Sequence, residues 1–150
     1  MTQTRRTLPL RIFRRTGSPP RLGAMVVTRT MFVTLDCADA TALAGFWAAM
    51  LGGTVVFTTP RSVGVRSEAG WLAAMAVADY RPPTWPEPDV PKQIHLDLAV
   101  DDLEAAVAEA IRCGATPAAV QPAPEARRIL LDPAGHPFCL TTMIPREAGV

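Results

Sequence analysis

Residues 30–37 alternate with a period of two. Met31, Val33, Leu35 and Cys37 fall on one side, and Thr30, Phe32, Thr34 and Asp36 on the other, the pattern of a strand with one buried face. The period then changes. Leu43, Phe46, Trp47, Met50 and Leu51 recur at helical spacing, so they form one apolar stripe. Asp39 or Thr41 can cap that helix and Gly52-Gly53 can end it. TVVFTT, SVGVRS and WLAAMAVA follow as three strands, the last two joined by the turn residues EAG. Residues 79–91 hold five prolines, which neither a helix nor a central strand tolerates. They predict an extended linker.

The pattern then repeats. Ile94, Leu96, Leu98 and Val100 alternate with Gln93, His95, Asp97 and Ala99. Asp101 and Asp102 open a helix, Leu103, Ala106, Val107, Ala110 and Ile111 form its apolar face, and Gly114 follows. ARRILLDPAGHPFCLTTM closes the unit as two strands around a DPAGHP turn, and TPAAV is the weakest strand. At an offset of 61, Leu35-Asp36 fall on Leu96-Asp97 and Gly53 on Gly114. Internal repeats decide the architecture before any single element does. The expectation is α+β: one domain over 25–150, built of two βαβββ modules at about 28–78 and 92–144 around the linker 79–91. Each sheet packs a helix on one face and leaves the other for a cleft.

Composition narrows the function. The chain has 150 residues, enough for one real core, and no apolar run near the ~20 residues of a membrane span. Net charge is +1 but uneven. Residues 1–24 carry six arginines and no acid, while the rest has nine basic and fourteen acidic residues, a net of −5. The body therefore lacks a nucleic-acid footprint. The Arg-rich arm reads as a disordered extension with GSPPRLG as linker and Met25 as a candidate start; a transit sequence or a basic nucleic-acid-binding tail are the alternatives. Cys37, Cys113 and Cys139 show no CxxC spacing. Reduced thiols in a cytoplasmic protein are expected.

VTLDCADATALAGFWAAMLGG, DYRPPTWPEPDVPKQIHLDLAVDDLEAA and LLDPAGHPFCL together resemble the vicinal oxygen chelate superfamily, and within it the glyoxalase-like domains. The resemblance spans about residues 28–144. It implies that the modules form a curved mixed sheet with an internal cleft. Function does not follow from it, because the superfamily includes metal-dependent isomerases, lyases and dioxygenases as well as metal-free antibiotic-binding proteins. Metal-using members take one ligand from each of four strands. Carried onto this chain, those positions are Thr34, Met75, His95 and Cys139. Only His95 is a ligand of the family type. Met is a weak donor and Thr a poor one, so no resident metal or other cofactor is expected.

The ligand is expected among Thr34, Asp36, Met75, His95, Asp97 and Cys139. His95 is the best catalytic candidate because imidazole titrates near neutrality; the competing reading is a hydrogen-bonded pocket wall. Asp36 and Asp97 recur at matched positions, as an acid–base pair or as backbone anchors. Cys139 is either a nucleophile, which needs an activating neighbour, or a small core residue. His136, in the DPAGHP turn, reads as structural, while Trp71, Met75, Tyr80 and Trp85 are candidates for an aromatic-rich pocket. The functions to distinguish are a small-molecule binder or enzyme with a degraded metal site, a metal-dependent lyase or dioxygenase with a site rearranged around His95, Asp97 and Cys139, and an antibiotic-binding resistance protein. A homodimer is expected, because exchanging halves across the linker is a low-cost route to symmetry.

Overall fold

Asp39 caps the first helix as its spacing requires: its carboxylate accepts from the amides of Thr41 and Ala42 at 2.9 and 3.0 Å. Asp102 does the same for the second, accepting from Ala105 at 3.0 Å. The computed structural model describes residues 30–145; the arginine-rich arm and Met25 lie outside them. The order is β1 (Val33–Cys37), α1 (Ala40–Met50), β2 (Thr54–Thr58), β3 (Ser62–Ser67) and β4 (Gly70–Ala76), then β5 (Leu96–Ala99), α2 (Leu103–Cys113), β6 (Thr116–Pro117), β7 (Arg127–Leu131) and β8 (Pro137–Thr141).

Each module forms its own four-stranded mixed sheet, ordered β1-β4-β3-β2 and β5-β8-β7-β6. The repeat extends to the pairing, since β1 runs parallel to β4 and β5 parallel to β8. The first strands are shorter than their alternation suggests. Pairing of β1 begins at Val33↔Leu72 and that of β5 at Leu96↔Phe138, so Thr30–Phe32 and Gln93–His95 lie outside the strands. The weak TPAAV strand shrinks to two residues. Gln121 extends that edge with its side chain: its amide donates to the carbonyl of Ile129 at 2.7 Å and accepts from the Ile129 amide at 2.8 Å.

The helix-facing sides of both sheets share one core. Leu35, Cys37, Val63, Val65, Leu72 and Ala74 come from the first sheet, and Leu130, Phe138 and Leu140 from the second. Phe46 and Trp47 of α1 stack edge-on against each other and against Phe138, with centroids 5.2–5.9 Å apart. Such pairs add about 0.5–1.5 kcal/mol each beyond area burial. The two helices differ in depth. Leu43, Phe46 and Trp47 of α1 are buried, whereas α2 buries only Ala110 and leaves Ile111 46% exposed. Among the described residues no helix is long and apolar enough to cross a membrane.

Candidate functional site

A groove of about 650 Å³ runs between the modules, bounded by the end of α1, the start of β4, β5 and α2. Its walls are mostly apolar, with Met50, Leu51, Trp71, Leu96 and Leu98 prominent. Volume and lining are those of a small-molecule site. Three ionisable side chains line it: His95, Asp97 and Glu109. His95 Nδ1 lies 3.5 Å from Asp97 Oδ2. Both side chains are substantially wet, at 31% and 51% exposure, so the contact is solvent-screened and serves to orient the imidazole. Glu109 is held below the usual carboxylate range by hydrogen bonding to Arg112. Arg66 lies over the Trp71 ring at 5.6 Å and fixes one wall.

A second, smaller pocket of about 320 Å³ lies where the proline-rich segment crosses β1. Thr34 and Asp36, on the β1 face turned away from α1, form one side. Residues 77–94 form much of the other, with His136 at one end. That end is held by a chain of hydrogen bonds. Asp132, 4% exposed, accepts from Trp47 Nε1 at 3.2 Å, from the Ala134 and His136 amides at 3.0 and 2.9 Å, and lies 2.9 Å from His136 Nδ1. His136 Nε2 in turn lies 3.1 Å from the Tyr80 hydroxyl, which donates to the Ala134 carbonyl at 2.7 Å. Burial, reinforced by the Asp132 charge, pushes the Tyr80 phenol well above its ordinary value. It therefore stays protonated and keeps its hydrogen bond to the Ala134 carbonyl.

The six expected pocket residues divide between the two modules. Asp36 sits beside Met75 in the β1–β4 pairing, and Asp97 beside Cys139 in the β5–β8 pairing. Thr34 and Asp36 line the smaller pocket, His95 and Asp97 line the groove, and Met75 and Cys139 line neither. Cys139 is 1% exposed, and its thiol is pushed up to about 11, first by burial and then by Asp97. A protonated thiol is a poor nucleophile and a poor ligand. The residues present do not fit a four-ligand metal centre. Thr34 and Met75 are poor donors, Cys139 is a buried, protonated thiol, and among the described residues no group of three or more His, Cys, Asp or Glu is placed to hold an ion.

Of the aromatic candidates, Trp71 lines the groove and Tyr80 the smaller pocket, while Trp85 and Met75 line neither. Trp47 was legible only as core, and it is core at 1% exposure, yet it is also among the residues that line the groove. The Asp132–His136–Tyr80 chain was not legible at all. Its one sequence signal is an Asp and a His four residues apart across a Pro-Ala-Gly turn, and the distant Tyr80 gave none.

A family model described as a glyoxalase-like domain matches residues 32–141. Among solved structures, the fosfomycin resistance protein FosX of Mesorhizobium loti superposes with a TM-score of 0.59 at 14% identity, over 79% of this chain and 94% of that one. A glyoxalase/bleomycin resistance protein/dioxygenase family enzyme from Burkholderia phytofirmans gives 0.55 at 18%, over 73% and 94%. A glyoxalase-related enzyme from Fulvimarina pelagi gives 0.54 at 20%, over 76% and 88%. At such identities the likeness is one of fold. Among curated proteins, none matches the sequence significantly.

Proposed function

This chain belongs to the glyoxalase-like domain family of the vicinal oxygen chelate superfamily, and from that premise we propose that it binds a small, largely apolar molecule in the groove between its modules without a resident metal ion. The observation that carries the reading is the groove itself: about 650 Å³, walled by aliphatic and indole side chains, with His95 and Asp97 at one side. Apolar walls supply affinity and a few convergent polar groups supply orientation. His95, oriented by Asp97, is the groove's candidate proton-transfer group, for a ligand that is turned over as well as held.

The fluorophore ANS serves as the test probe. Saturable one-to-one binding to the folded protein is expected, weakened about tenfold by Trp71→Ala, with the circular dichroism unchanged. Absence of saturable binding, or indifference to Trp71→Ala, overturns the reading. Displacement of ANS by bleomycin or fosfomycin would identify an antibiotic-binding protein. One tightly held equivalent of Zn, Mn or Fe, needed for turnover, would establish the metal-dependent lyase or dioxygenase instead.

We also propose a homodimer. β1 and β5 each end a sheet with one edge unpaired. Exposed Met31, Phe32 and Ile94 flank those edges, at 82%, 47% and 45%. Free edges beside apolar residues favour pairing with another chain. A second copy laying its β5 edge along β1 would bring the Thr34, Asp36 and Met75 set to the His95, Asp97 and Cys139 set. Light scattering should give twice the chain mass, and Met31→Lys should lower it; a monomer at all micromolar concentrations excludes the arrangement. The free cysteines support a reducing, cytoplasmic setting.

A further inference from the structure

The smaller pocket is a candidate site in its own right, separate from the groove. Its end wall is preorganised. The Asp132–His136–Tyr80 chain uses its polar atoms internally, and Pro82 packs so closely on Gly135 that a Cβ added there would lie 2.7 Å from the Pro82 Cβ. Tyr80 and Pro82 thus tie this part of the segment to the β7–β8 turn.

What remains available to a ligand is charge. Asp36, Asp79 and Arg81 are among the residues that line the pocket. Among the described residues, none of the three makes an ion pair or a side-chain hydrogen bond. The other cation of the lining, Lys92, is engaged over the Trp85 ring at 4.5 Å. A simple anion entering this pocket would meet two carboxylates. A simple cation would meet the free guanidinium. A molecule carrying both charges can place each against its opposite. The volume of about 320 Å³ is at the small end for ligand sites, and an amino acid suits it.

We propose that the pocket between β1 and residues 77–94 binds a small zwitterion of the α-amino-acid class, with its ammonium toward Asp36 and Asp79 and its carboxylate toward Arg81. Thr34, two residues before Asp36 on the same β1 face, lines the same pocket. The groove proposal does not depend on this site, nor this site on the groove.

Titration of the labelled full-length protein with L-leucine and L-serine, followed by amide NMR shifts, tests the proposal. N-acetyl-leucine removes the positive charge and leucine amide removes the negative one. The expected result is millimolar binding of the free amino acids, with shifts at Thr34, Asp36, Tyr80 and Arg81 and none at Trp71 or His95. Both blocked forms should bind about tenfold more weakly, and Asp36→Asn and Arg81→Gln should each weaken the free amino acids by a similar factor while leaving the rest of the spectrum in place. Shifts confined to the groove, equal binding of either blocked form, or no saturable response to any of the twenty amino acids overturns the proposal. None of these results bears on ANS binding at Trp71, so the two sites fail or stand separately.

Discussion

The Trp47 indole donates to the Asp132 carboxylate at 3.2 Å, joining α1 of the first module to the β7–β8 turn of the second. The pair is 85 positions apart in sequence and fully inside the shared core. It does two jobs at once. Trp47 fills space against Phe46 and Phe138, and its one polar atom satisfies a buried charge that also holds His136.

Trp47→Phe keeps one aromatic ring but removes the donor and part of the buried indole. A buried hydrogen bond to a charged group is worth about 1.5–3 kcal/mol and the vacated space adds a cavity cost, so urea unfolding should show a loss at least that large. The His136 side-chain NMR signals should broaden as Asp132 loses a partner. A loss below about 0.5 kcal/mol would mean that the remaining donors hold Asp132 unaided.

Two glycines should respond in opposite directions to alanine. Gly45 lies exposed within α1, and an added Cβ meets nothing within 4 Å; Gly45→Ala should stabilise by about 0.5–1 kcal/mol. Gly114 caps α2 with φ +115°, a conformation side chains resist, and Gly114→Ala should destabilise by about 1 kcal/mol or more. Thermal melts of the two variants on either side of the wild type check the pair.

His95 immediately precedes β5 and Leu96 opens it, and both line the groove. The His95 side chain is 31% exposed, whereas Leu96 also packs partly buried against the core. His95→Ala should change stability by less than about 0.5 kcal/mol and weaken groove binding. Leu96→Ala should cost about 2 kcal/mol. If His95→Ala binds ANS normally and Leu96→Ala folds normally, the roles of the two residues are assigned the wrong way round.

Cys139 sets an alkaline limit. Its thiol titrates near 9.0 when unperturbed and is pushed up to about 11 in the fold by burial. Between those values the unfolded chain releases its proton while the folded chain keeps it, so unfolding is favoured as pH rises. The stability that Cys139 contributes is intact below pH 9 and lost through about pH 11. Urea midpoints from pH 8 to 11 should fall, and Cys139→Ala should flatten part of that fall. Cys37 and Tyr80, both raised first by burial, contribute in the same direction. At pH 7.5, iodoacetamide should label partly exposed Cys113 well before buried Cys37 and Cys139.

The sequence by itself determined what depends on near neighbours along the chain. Strand and helix periods, the Asp39 and Asp102 caps, the Gly114 stop and the proline-rich linker all rest on interactions within a few residues. The 61-residue repeat carried these into an architecture, because two copies of one local pattern fold the same way. Only the tertiary structure decided where the strands begin, since Val33 and Leu96 start β1 and β5 where β4 and β8 first offer partners. It also decided which of the residues on the matched strand faces share a cavity. Alternation put Thr34, Asp36, His95 and Asp97 on matched faces, but a period of two cannot say how the two sheets are set relative to each other. Because the modules pool their helix-facing sides into one core, Asp36 and His95 line different cavities, and Cys139 is sealed. Tyr80, His136 and Trp47 meet around Asp132 for the same reason: a buried carboxylate takes its donors from whatever the packed chain brings within 3 Å or so, and sequence distance does not enter.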